Sequence, residues 1–207
     1  MKSNRTYTLA VTGASGAIYA RRLCRVLATR KRTRVHLLMS AAGARVVREE
    51  LGETVDIADG RSVIRGLIGS EPTNFRYEAL DNIGAGIASG SYVVDAMVVI
   101  PCSMGTLGRI AAGTGANLIE RAADVQLKER RNLILVARET PLSLIGIENM
   151  ARVARAGACV LPAMPGFYHL PKTVDDLVDF VVGKVLLQMG EAQSLFKRRM
   201  AREEQTD

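Results

Sequence analysis

Two short stretches constrain this chain more than any others: Ala96 to Ile100, AMVVI, and Asn132 to Ala137, NLILVA. Both are unbroken apolar runs of strand length, rich in β-branched residues, as expected of strands buried on both faces. Thr8 to Val11 reads as a first strand and Thr33 to Met39, with RVHLLM at its heart, as a second. Asn74 to Glu78 reads as a short strand and Gly157 to Leu161 as the last. Between them helical spacing recurs. It follows the first strand with Ile18, Leu23 and Val26, covers Ala41 to Leu51 with Ser40 placed to cap it, and returns at Thr106 to Ala112, Leu118 to Glu129, Leu144 to Arg155 and Val174 to Met189. Such alternation predicts an α/β three-layer sandwich around a mostly parallel sheet. At 207 residues the chain predicts one domain, residues 1–190. The charged remainder, 191–207, carries Leu195, Phe196 and Met200 and is expected to be an oligomer-contact tail.

In a parallel sheet, ligands gather outside the carboxyl ends of the strands. Four segments fall there: Thr12-Gly13-Ala14-Ser15-Gly16, Ser40, Pro101-Cys102-Ser103-Met104-Gly105-Thr106, and Arg138-Glu139-Thr140-Pro141. The first is a Gly-rich turn opening a helix, where backbone N–H groups suit an anion. It is neither G-x-G-x-x-G nor a P-loop, since Ser15 takes the middle position and no Gly-Lys-Ser/Thr follows. By itself it leaves dinucleotide, mononucleotide and a plain capped turn all open. Ser103 and Thr106 could likewise be helix caps alone. Four coincident strand ends carrying hydroxyls, glycines and an Arg/Glu pair favour one shared site for a flat ligand with a phosphate tail.

Composition removes several function classes. Cys24, Cys102 and Cys159 are odd in number and scattered, which argues against disulfides and a Cys-rich zinc site and fits a reducing compartment. The two histidines, His36 and His169, are not at ligand spacing, so no metal is expected. No leader is recognised before the first strand and no apolar run reaches about 18 residues, so a soluble cytoplasmic protein without membrane contact is expected. The net charge is +7, but its basic clusters are short and separated and Trp is absent, so solvated helix faces are favoured over nucleic acid.

Taken together, TGASGAIYA, ASGSY, PCSMGTL, NLIERAADVQLKERR, LVARETPLS and PGFYHLPKTVDDLVDF resemble, in order and over nearly the whole chain, the UbiX flavin prenyltransferase family. The resemblance implies a flavodoxin-like Rossmann sandwich assembling as a dodecamer of trimers. It implies transfer of a dimethylallyl group from dimethylallyl phosphate to reduced FMN, without a metal, to make prenylated FMN for UbiD-type decarboxylases. FMN is then expected on Gly13, Ala14 and Ser15, on Ser40, on Ser103, Met104, Gly105 and Thr106, and on Arg138. The prenyl phosphate is expected on Lys128, Arg138, Glu139, Tyr168 and Lys184. Catalytic roles fall to Ser15, Glu50, Lys128 and Glu139, with Glu49 adjacent to Glu50 and competing for that position.

These residue types suit the chemistry. Allylic C–O cleavage builds charge on the leaving phosphate, which fixed cations and a phenol stabilise in the transition state. Alkylation at flavin N5 with closure at C6 requires proton removal, work for Glu139 and the released phosphate with Ser15 as relay. The sequence departs from the family at 184, where Lys replaces the usual Arg and loses its two-pronged grip. Ile83 stands where some relatives place a Trp. Two alternatives use the same cofactor: a non-catalytic FMN carrier, and an FMN-dependent cysteine decarboxylase. The second expects a His after the second strand and a P-x-M-N-x-x-M-W segment, where this chain has Ala41-Ala42 and PAMPGFY.

Overall fold

The computed structural model describes residues 4–196. Its elements alternate: β1 (Arg5–Val11), α1 (Ala17–Ala28), β2 (Thr33–Met39), α2 (Ala41–Leu51), α3 (Gly60–Ile68), β3 (Phe75–Tyr77), β4 (Ala96–Cys102), α4 (Met104–Ala112), α5 (Leu118–Lys128), β5 (Asn132–Ala137), α6 (Leu144–Arg155), β6 (Cys159–Val160) and α7 (Val174–Gln188). The helix over Gly60–Ile68 is absent from the sequence reading, because Gly60 and Gly66 weaken the local helical signal. Asp59 caps it, and Val63, Ile64 and Leu67 bury its inner face.

All six strands are parallel, in the order β3-β2-β1-β4-β5-β6. The order reverses between β1 and β4, which makes the carboxyl end of that pair the topological switch point. Side-chain alternation divides the core into two layers. Tyr7, Leu9, Val11, Val35, Leu37 and Ile134 pack with α1, α3 and α7, while Ala10, Leu38, Met97, Val99, Leu133 and Leu135 pack with α4, α5 and α6. β4 is buried at every position, as the AMVVI run predicts.

Helix starts are capped as their sequences dictate: Ser40 Oγ accepts from Gly43 N at 3.0 Å, Asn117 Oδ1 from Glu120 N at 3.1 Å, and Thr173 forms a capping box with Asp176. The segment from Gly190 to Phe196 folds back on its own chain. Arg5 Nη1 donates to Gly190 O at 2.8 Å, Tyr7 Oη donates to Glu191 Oε1 at 2.5 Å, and the Phe196 ring packs 4.9 Å from that of Phe180. Leu195 and Phe196 pack on the core of their own chain; Met200 and the rest of 197–207, on which the expected oligomer-contact tail also rests, lie outside the described residues. Among the described residues no helix is long and apolar enough to cross a membrane.

Candidate functional site

Four strand ends meet at the switch point, and hydrogen bonds stitch them together. Thr12 Oγ1 donates to Pro101 O at 2.7 Å and accepts from Ser103 N at 2.9 Å, which ties the end of β1 to the end of β4. Ser40 N donates to Val11 O and Arg138 N to Cys102 O, bringing in β2 and β5. Gly13 is obligatory for close approach, because a Cβ there would collide with Ala42 at the start of α2. The turn and the starts of α2 and α4 thus form one continuous rim, with Gly13, Ser15 and Gly105 exposed on it.

The start of α1 is already occupied by an anion belonging to the protein. Glu50, from the end of α2, accepts from Gly16 N at 3.1 and 2.9 Å and from Ala17 N at 2.8 Å. Gly16 makes this possible with φ +117°, a left-handed geometry that other residues resist. Of the adjacent pair, Glu50 rather than Glu49 makes these contacts. The sequence-based expectation of a ligand anion on these N–H groups is corrected accordingly: they serve a carboxylate, and a ligand phosphate must use other parts of the rim. Tyr19 lies within the fields of Glu50 and Arg138, and burial, reinforced by Glu50 and opposed by Arg138, raises its phenol above the usual value.

The α4 start has its own support. Ser103 Oγ donates to Thr106 Oγ1 at 3.1 Å, and Thr106 Oγ1 accepts from Arg109 Nη2 at 3.2 Å. Arg109 Nε in turn donates to Glu120 at 2.6 Å. Glu120 is 2% exposed and also accepts from Thr114 Oγ1, Ala116 N and Asn117 Nδ2 at 2.7 to 2.8 Å. Burial pushes its carboxyl upward, but those donors outweigh burial and hold it below the ordinary range. The sequence reading missed Glu120; a carboxylate inside the apolar pattern LIERAA was the available signal. Ser103 and Ser40 do cap their helices, so the cap reading of each is correct in geometry whatever else they contact.

The remaining expected residues are distributed unevenly. Arg138 and Glu139 are exposed at the end of β5, with Glu139 accepting only from its neighbour Thr140 N, at 3.0 Å, among the described residues. Leu161 and Ala163 hydrogen-bond along β5 as far as Ala137, so the segment leading to Tyr168 departs beside Arg138. Tyr168 and Lys184 share one cluster: Tyr168 lies edge-on to Phe180 with centroids 5.5 Å apart, and Lys184 Nζ lies 5.6 Å from the same ring. Lys128 is elsewhere. α5 runs antiparallel to the strands, so its last residue sits at their amino-terminal edge, where Lys128 Nζ pairs with Glu129 at 3.1 Å beside Gly90. Within one chain Lys128 and Ser15 lie at opposite ends of the sheet.

This crevice offers no thiol nucleophile: burial pushes Cys102, beside Ser103, up to about 12. It offers backbone N–H groups, small hydroxyls, an exposed guanidinium and an exposed carboxylate. That set suits anion binding with proton transfer.

A family model described as "Flavoprotein" matches residues 1–186. The chain is 50% identical over 192 residues to the flavin prenyltransferase UbiX of Halalkalibacterium halodurans, covering 93% of this chain and 92% of the relative. It is 44% identical to UbiX of Pseudomonas aeruginosa, covering 96% and 95%. Among solved structures, AnUbiX (PadA1) in complex with FMN and dimethylallyl pyrophosphate superposes with a TM-score of 0.83 at 38% identity, covering 97% of this chain and all of that one. A dodecameric FMN-dependent UbiX-like decarboxylase from Escherichia coli O157:H7 gives 0.82 at 38%, covering 95% and 100%. The FMN-dependent cysteine decarboxylase TvaF, at 15% identity and a TM-score of 0.60, shares the fold alone. With its switch-point crevice and this likeness along nearly its whole length, the chain belongs to the UbiX flavin prenyltransferases of the flavoprotein family.

Proposed function

We propose that the crevice binds reduced FMN and catalyses its prenylation by dimethylallyl phosphate, in the cytoplasm, for use by a UbiD-type decarboxylase. The observation that carries this reading is the convergence of four strand ends on one rim that exposes Arg138 and Glu139 together. The rim fits FMN: Gly13 lets the β1 turn close against Ala42 at the start of α2, and the N-termini of α2 and α4, capped by Ser40 and Ser103, end at this rim where their backbone N–H groups suit a phosphate. With Glu50 filling the start of α1, the phosphate belongs with Ser40, Ser103 to Thr106 and Arg138, while Gly13, Ala14 and Ser15 border the ring system.

The reduced flavin supplies the nucleophilic nitrogen and carbon that accept the prenyl group. The protein supplies the rest. Arg138, Tyr168 and Lys184 hold the donor phosphate and stabilise the charge that grows on it as the allylic C–O bond breaks. Glu139 accepts the proton released on ring closure, and Ser15, exposed and without a side-chain hydrogen bond among the described residues, relays it. Glu50 fixes the Gly16 turn and so positions Ser15.

Lys128 joins this site from a second copy of the chain, which explains its place at the far edge of its own sheet. Leu144 and Ile145, both about 70% exposed beside the Arg138 segment, and Leu170, 81% exposed, provide apolar surface for that association. A dodecamer is the assembly we assign. The test is direct: purified protein incubated with reduced FMN and dimethylallyl phosphate should yield, by mass spectrometry, flavin carrying one dimethylallyl unit. Unmodified flavin in the presence of bound FMN would leave a carrier, and failure to bind FMN would remove the reading altogether.

A further inference from the structure

Interior strands of a parallel sheet are ordinarily apolar on both faces, and β2 breaks that rule on one side. Val35, Leu37 and Met39 enter the α1–α7 layer, whereas Arg34 and His36 alternate to the opposite face. Strand register sets Thr6 beside Arg34, and Thr8 and Arg76 on either side of His36. Three adjacent strands therefore carry one polar patch. Its cover is the irregular connection between β3 and β4, which contributes Gly86 and Tyr92.

Between the patch and this cover lies an open-mouthed cavity of about 840 Å³, within the range of small-molecule sites. At its floor His36 and Glu78 are each about 5% exposed. His36 Nδ1 lies 2.9 Å from Glu78 Oε1, His36 Nε2 lies 2.9 Å from Tyr92 Oη, and Arg76 Nε forms an ion pair with the same Glu78 oxygen at 2.9 Å. Arg32 and Arg34 line the wall and have no carboxylate partner among the described residues. Next to His36, the buried Thr8 Oγ1 has no hydrogen-bond partner among them. Three guanidiniums thus face one carboxylate across a lining rich in donors. A sequence that breaks the apolar rule here, with its buried groups held in place, has the character of a built site.

We propose that this cavity binds a small phosphate-ester anion, held by Arg34 and Arg76, whose planar forks match its oxygens. Thr6 and Thr73 add hydroxyl donors at the wall. The His36–Glu78–Tyr92 network anchors Arg76 from below. The site is separate from the flavin crevice, because Thr6 and Arg34 lie in the amino-terminal halves of strands whose carboxyl ends carry Thr12 and Ser40.

Calorimetric titration of inorganic phosphate into the full-length protein saturated with oxidised FMN tests this, with Lys184→Ala as the control for phosphate taken up at the donor position of the crevice. We expect phosphate binding that persists in Lys184→Ala and is weakened at least 10-fold by Arg34→Gln and by Arg76→Gln, with FMN affinity unchanged in both arginine variants. Arg34 is exposed, so its variant remains decisive even if Arg76→Gln disturbs Glu78. No phosphate binding to the FMN-saturated protein, binding abolished by Lys184→Ala, or equal binding in Arg34→Gln and wild type would overturn the proposal. So would an oligomer structure with a second copy's acidic side chain seated between Arg34 and Arg76.

Discussion

Glu120 and Glu78 are both buried in the layer opposite α1 and α7, yet they are solvated by the protein in different ways. Glu120 is saturated: Arg109, Thr114, Ala116 and Asn117 all donate to it, and the arrangement is closed. Glu78 has the ring nitrogen of His36 and the Nε of a largely exposed Arg76, and it faces a cavity. A buried carboxylate with every lone pair engaged is scaffold, here holding the α4 start in place through Arg109 and Thr106. One whose cation reaches into open space can share that cation with a ligand. The comparison separates a crevice braced by a rigid support from a cavity whose lining is free to exchange partners.

The largest stability effect should come from breaking the saturated network. Glu120→Ala strands Arg109, Asn117 and two further donors and should cost about 2–3 kcal/mol in chemical denaturation. It should also weaken FMN binding, since the α4 start loses its brace. An effect confined to stability, with FMN affinity intact, would break the proposed link to the crevice.

Acid titration sharpens the contrast next, because the two regions fail in different windows. His36 is held below the ordinary histidine value by burial, which the Glu78 hydrogen bond only partly offsets. The unfolded chain then binds more protons than the folded one, so stability should fall as pH drops below about 6.5, by at most about 1.4 kcal/mol per pH unit. His36→Gln should flatten this slope. Glu120 has a folded value below its unfolded one, so its contribution is full above about 4.5 and lost as pH falls further. Glu120→Gln should flatten that lower window alone. A single shared window for both variants would mean that the regions are not independent.

The smallest effect is expected at Lys184. Lys184→Arg should keep activity or raise it up to a few-fold, by giving the donor phosphate a forked partner, and should leave the phosphate cavity untouched. Donor KM in steady-state assays reads this. An inactive Lys184→Arg would show that the ammonium over Phe180 has a role of its own.

Much of the architecture was legible because burial on both faces leaves a distinct trace, as in AMVVI and NLILVA. The rim was legible too, since strand-end turns need glycines and capping hydroxyls whatever they bind. Tertiary partners were not. Nothing local tells that Glu50 would reach the α1 start 33 residues away, or that Glu120 would gather donors from α4 and from the loop that leads into its own helix. The family resemblance groups Lys128 with Arg138, but the direction of α5 places it at the other end of the sheet. The polar face of β2 is visible as Arg34 and His36 within the stretch TRVHLLM, but the partners that make it a cavity, Glu78, Arg76 and Tyr92, come from distant segments.

The assignment of chemistry to the crevice stands on Glu139, and a single-turnover assay at saturating donor tests it most directly. Glu139→Gln keeps shape and hydrogen bonding but removes the charge that accepts a proton. The account predicts FMN affinity equal to wild type and prenyl transfer slower by roughly 10²-fold, with no recovery as donor is raised. Full activity in Glu139→Gln would contradict it, removing Glu139 from the reaction and leaving the released phosphate as the base.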